Sequence, residues 1–68
     1  MDKKTTIIET ATRLFAHKGF SGTSTAEIAE KAGVAQGTLF YHFKNKQGII
    51  REIFSRAGSI YLAELKKA

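Results

Sequence analysis

The sequence predicts an all-α fold: a head of three helices, followed by a long fourth helix. Apolar residues recur at intervals of three and four in successive segments, which is the stripe of a helix and not the alternation of a strand. Gly19 and Gly33 stand where two of those stripes stop, and proline is absent throughout. With 43% hydrophobic and 25% charged residues, the 68-residue chain has the make-up of one small folded domain rather than a disordered segment. A domain of this size buries only about 60% of its unfolded surface, so its stability margin is narrow.

The first segment carries Ile7, Ile8, Ala11, Leu14 and Phe15 on one stripe, predicting a helix over 3–18. Gly19 is expected to end it in the left-handed conformation, with Phe20 as the apolar contact of a Schellman-type cap. Ser24-Thr25-Ala26-Glu27 then fits a capping box, in which Ser24 caps a second helix over 25–32 and Glu27 reaches back to it. Ile28, Ala29 and Ala32 form its buried face. A third helix begins at Ala35 or Gln36 and runs to His42 or Phe43, with Leu39 and Phe43 on its buried side. Asn45 suits the N-cap of the fourth helix, where Ile49, Ile50, Ile53, Phe54, Ala57, Ile60, Tyr61 and Leu65 keep helical spacing. Ile49, Ile53 and Phe54 are expected to pack this helix on the head, and Ile60, Tyr61 and Leu65 to form an uncovered stripe.

The chain has 11 Lys and Arg against 6 Asp and Glu, a formal charge of +5 that favours a polyanionic partner. There is no cysteine, and His17 and His42 fall in different predicted helices, so neither a metal nor a cofactor is expected. No apolar run approaches the roughly 20 residues of a membrane span. The opening MDKKTTIIET lacks the apolar core of a signal peptide, and a cytoplasmic protein is expected. His42 has no carboxylate or nucleophile at helical spacing, which makes an enzyme the least favoured class.

The second helix, the turn at Gly33 and the third helix make a helix-turn-helix, because so short a connection does not suit antiparallel packing. Each position has a steric task. Ile28, Val34 and Leu39 can form the wedge between the helices, Ala29 must be small where the third helix crosses, and Gly33 supplies a positive φ.

The run TSTAEIAEKAGVAQGTLFYHFKNKQGII resembles the DNA-binding segment of the TetR family of bacterial transcriptional regulators. The match rests on Thr23, Ser24, Glu27, Ile28-Ala29, Ala32-Gly33-Val34, Gly37-Thr38-Leu39, Phe43 and Lys46, with Ala11, Leu14, Phe15, Gly19 and Phe20 fitting in the first helix. The resemblance implies a DNA-binding head over 1–47 and, over 48–68, the rest of a helix linking it to a ligand-binding, dimerising domain absent from this chain. It further implies double-stranded DNA with a palindromic operator as partner, a homodimer made through that other domain, and a small-molecule effector bound outside this chain. The expected protein is a repressor whose fourth helix transmits the effector signal.

By the same resemblance the third helix is the recognition helix. Gln36 would pair with an adenine edge or donate to guanine, and Gly37 would let backbone come close to DNA. Thr38 offers a hydroxyl to phosphate or a methyl to thymine, and Tyr41 a ring to a thymine methyl with its hydroxyl to phosphate. His42 and Lys46 match phosphate-contacting positions, and Thr25 is a further phosphate candidate. Only Gln36, Thr38 and Tyr41 would read bases. Ala35, Phe40 and Ala26 depart from the pattern and lose the roles of a serine, a tyrosine and a base-reading arginine.

Plainer readings stand beside these. Tyr41 can cap the core with its hydroxyl in water, His42 can be a surface histidine, and Lys44 and Lys46 can be a solvated turn. Lys66 and Lys67 suit the negative end of a helix dipole. Arg13, His17 and Lys18 are expected in solvent, and Phe40 as filler of a core or interface. The alternative function is a helical protein-interaction module using the Ile60, Tyr61 and Leu65 stripe. An amphipathic membrane helix is weaker still, because Glu52 and Glu64 lie on its polar face.

Overall fold

Asp2 sets where the chain turns helical. Its Oδ1 accepts the Thr5 N–H at 2.7 Å and caps α1 (Lys3–Lys18). The Thr5 backbone N–H, with help from the Thr5 side chain, holds this carboxyl below its usual value. The computed structural model describes residues 2–67, with side chains up to Ala57. Ile60, Tyr61 and Leu65, together with Glu64, Lys66 and Lys67, therefore lie outside the described side chains. Three further helices follow, α2 (Thr25–Ala32), α3 (Gln36–His42) and α4 (Lys46–Lys67), and there is no strand among the described residues.

The expected helix limits are met, but two caps differ. Gly19 has φ 82° and ψ 161°, a positive φ without the left-handed ψ of a Schellman cap. Its N–H donates to Phe15 O at 2.9 Å, and the Phe20 ring instead lies 5.3 Å from that of Phe15. The Schellman pattern occurs at the end of α2. Gly33 takes φ 73° and ψ 30°, its N–H donates to Glu30 O at 3.2 Å, and the Val34 N–H reaches Ala29 O at 3.0 Å.

The capping box is half made. Ser24 Oγ accepts the Glu27 N–H at 3.1 Å, but the Glu27 carboxylate takes the Lys18 ammonium at 2.6 and 2.8 Å instead of reaching back to Ser24. A charge-assisted bond to an ammonium across the α1–α2 turn outcompetes a neutral backbone donor. Lys18 is thus paired and not simply solvated. Asn45 caps α4 as expected, its Oδ1 accepting the Gly48 N–H at 2.8 Å.

One core joins all four helices: Ile7, Ile8, Ala11 and Phe15 of α1, Ile28 and Ala29 of α2, Leu39 and Phe43 at α3, and Ile49 of α4. Helix α1 packs against each of the others, and α2 against α3. Leu14, Phe20, Ala32, Val34, Ile50 and Ile53 are half-buried around this centre. Phe54 is not part of it, being 68% exposed. At 3.6 residues per turn it stands about 140° around α4 from Ile49, so it cannot share the face that Ile49 and Ile53 turn to the head. Phe40, expected as filler, is also exposed.

Candidate nucleic-acid interface

The turn at Gly33 presents α3 as the site's centre. Ile28, Ala29 and Leu39 are buried and Val34 half-buried, so the wedge expected between α2 and α3 is in place. Burying Leu39 and Phe43 turns the opposite side of a seven-residue helix outward. Gly37 and Tyr41 lie there, Tyr41 84% exposed; Gln36 is exposed as the first residue of the helix, and Thr38 is half-buried. Ala35 makes no side-chain cap; its carbonyl accepts the Thr38 and Leu39 N–H groups at 3.0 and 3.1 Å.

Gly37 has no internal reason to be glycine. A Cβ at that position would meet nothing within 4 Å, and its φ is not positive. Within a helix glycine is less favourable than alanine by up to about 1 kcal/mol, and Gly37 is the second residue of α3. The fold alone would prefer alanine here.

His42 is half-buried between two rings. It meets Tyr41 edge-on at 5.1 Å with an interplanar angle of 82°, and Phe43 at 6.4 Å. The imidazole thus limits where the Tyr41 ring can swing. Thr25, the first residue of α2, is half-buried next to the capping Ser24.

Lys46 stands apart from this exposed set. Its Nζ donates to Phe20 O at 2.6 Å and to Thr23 O at 2.9 Å, and lies 4.3 Å from the centre of the Phe20 ring. The side chain expected in solvent or on phosphate is drawn onto the α1–α2 loop. That loop is itself fastened, because Thr23, 1% exposed, donates its Oγ1–H to Gly19 O at 2.8 Å. Neither Lys46's loop contacts nor Thr23's hydrogen bond was visible in the spacing of the sequence, since the donors and acceptors lie on a turn without periodicity. Among the described residues there is no group of three or more metal-ligating side chains, and no helix is long and apolar enough to cross a membrane.

A short, outward-facing helix set by a glycine turn against a second helix defines a helix-turn-helix domain. Residues 7–53 match the family described as bacterial regulatory proteins, tetR family. The chain belongs to the TetR family. It is 45% identical over 53 residues to the uncharacterized HTH-type transcriptional regulator YvkB of Bacillus subtilis, covering 78% of this chain and 28% of that protein. It is 43% identical to the HTH-type transcriptional regulator AcrR of Shigella flexneri, covering 78% of this chain and 25% of AcrR. Among solved structures, the fatty acid degradation regulator FadR from Bacillus halodurans superposes with a TM-score of 0.87 at 27% identity, over 98% of this chain and 35% of FadR. A TetR-family transcription regulator from Shewanella gives a TM-score of 0.78 at 54% identity, over 79% of this chain and 29% of that one. The chain therefore spans between 25% and 35% of the length of these four relatives.

Proposed function

We propose that this chain binds duplex DNA sequence-specifically, as the head of a ligand-responsive repressor. The observation that carries the reading is Gly37. A glycine that nothing inside the chain requires sits on the exposed face of α3 beside Gln36 and Tyr41, where a major groove would demand close approach. Residues 1–47 form the DNA-binding head, and 48–68 of α4 lead toward the parts that dimerise and bind a small-molecule effector, which lie outside this chain. Gln36, Thr38 and Tyr41 read bases; Thr25 and His42 face phosphate. The excess of positive charge draws the head to the duplex, and affinity falls as salt rises. Names such as the repressor KstR2 among the relatives support the repressor reading.

Selection from a pool of randomised duplexes at low salt tests this, and an enriched half-site is the expected result. Retention without any enrichment would leave phosphate binding alone and remove the base-reading roles.

Two substitutions probe the site further. Gln36→Ala is expected to change preference at a single base pair, by roughly 1–3 kcal/mol between the favoured base and its competitors. Uniform weakening on every duplex would show that Gln36 is not a base reader. Gly37→Ala is expected to act in opposite directions, raising thermal stability by up to about 1 kcal/mol while weakening DNA binding. An alanine variant that is more stable and binds duplex as tightly as the parent would remove the close-approach role.

A further inference from the structure

Phe40 is expected as filler of a core or interface, yet it is 43% exposed on α3, and it lacks the hydroxyl that would reach a phosphate. We propose that Phe40, the bare backbone of Gly37 and the Tyr41 ring form a notch that takes the C5-methyl group of a pyrimidine in the major groove. This rests on the duplex-DNA reading above and adds to it the residues and the base chemistry of one contact.

Gly37 stands three positions before Phe40 and four before Tyr41, the two spacings that make helical side chains neighbours. Helical side chains also lean back toward the N-terminus, which sets both rings beside the turn that carries Gly37. The glycine supplies nothing to fill the space between them. That space is open: a Cβ on Gly37 would meet no atom within 4 Å, so neither ring has closed over it. The Tyr41 ring is held edge-on to His42 instead, with the centroids 5.1 Å apart.

The major groove presents donors and acceptors at every base pair and one kind of apolar group, the C5-methyl of thymine. Cytosine methylated at C5 carries the same group in the same place. A phenyl ring has no donor or acceptor, so its complement among the base edges is that methyl. The Tyr41 ring gives the notch a second apolar wall and leaves its hydroxyl free for phosphate or water. Gln36, one turn ahead of Phe40, is then placed to bond the edge of a neighbouring base.

The test uses the full chain and the half-site duplex enriched by selection. Each thymine is replaced in turn by uracil, which deletes the methyl and leaves the pairing edge intact. At one thymine the parent is expected to lose about 4-fold in affinity, the worth of one buried methyl group. Phe40→Ala removes a wall of the notch and Gly37→Ala fills its floor. Both variants are expected to make no distinction between thymine and uracil at that position. Circular-dichroism melts show whether each is folded; should Phe40→Ala not fold, Gly37→Ala decides. A further pair of duplexes carries cytosine or 5-methylcytosine at the same position. A gain of about the same factor on methylation means that the notch takes the methyl from either base, and no gain means that thymine is its sole source.

The proposal is overturned if no thymine in the half-site binds the parent better than uracil does. It is equally overturned if the uracil penalty persists in folded Phe40→Ala, or in Gly37→Ala, because Thr38 or Tyr41 alone then meets the methyl. A parent chain that binds no duplex at all overturns the DNA reading itself, and that outcome appears before any base or residue is changed.

Discussion

Leu39→Ala is expected to destabilise the fold by about 2–5 kcal/mol, the range for truncating a fully buried leucine. Leu39 is 0% exposed and is the α3 residue that closes the wedge on Ile28 and Ala29. Domains hold roughly 0.05–0.15 kcal/mol of stability per residue, so a chain of this length has only about 3–10 kcal/mol to lose. The midpoint of thermal unfolding should fall by about 4–8 °C for each kcal/mol. Tyr41 lies two residues further on and is 84% exposed. Tyr41→Ala should therefore leave the midpoint nearly unchanged, within about 0.5 kcal/mol, while abolishing specific duplex binding. A circular-dichroism melt of both variants decides. If Leu39→Ala melts within a degree or two of the parent, α3 is not seated by this wedge.

That pair of residues also marks what periodicity can reveal. The buried stripe of each helix follows from spacing alone, because a residue three or four along must face the same way, and Leu39 and Phe43 are placed correctly by that rule. Phe54 marks the limit of the rule: its apolar character suits the stripe, whereas its angle on α4 turns it out. The caps followed from residue type at Ser24 and Asn45, since a short side chain with an oxygen has one good use just ahead of a helix. Where two partners compete, type does not decide. Glu27 had a choice between Ser24 and Lys18, and only the approach of the end of α1 to the start of α2 settles it.

The candidate site divides in the same way. Exposure of Gly37 and Tyr41, each two residues from Leu39, is the complement of burying Leu39, so it could be read from the sequence, whereas Gln36 stands three before Leu39 and is exposed as the first residue of α3. The contacts of Lys46 could not. They span 23 and 26 residues and join a helix start to a loop, where no spacing rule links donor to acceptor. A lysine near a helix start reads as an anion site in any sequence. It becomes a clamp only when two carbonyls and a ring face already lie within its reach.

Gly22→Ala is expected to be among the most damaging substitutions outside the core, and nothing in the sequence singles the residue out. Gly22 does not take a positive φ, so the usual reason for a glycine in a turn is absent. The constraint is contact: a Cβ there would lie 2.5 Å from the Lys18 backbone oxygen and 3.5 Å from the Lys18 carbonyl carbon. Contacts of carbon with oxygen normally begin near about 3.3 Å, so one of the two backbones must move by much of an ångström. Neither can do so freely. Lys18 is the last residue of α1, and Gly22 is flanked by Thr23, whose hydroxyl, N–H and carbonyl are all bonded. Overpacking of this kind costs about 1–3 kcal/mol, and the rigid loop places Gly22→Ala toward the upper end. Gly48→Ala is the matched control, because a Cβ there meets only Asn45 Oδ1, at an ordinary 3.5 Å. In the first turn of α4 that methyl should be neutral or stabilising by up to about 1 kcal/mol. The same chemical change is thus expected to lower the unfolding midpoint at one glycine and hold or raise it at the other. Equal melts for the two variants would mean that the α1–α2 loop yields to the added methyl.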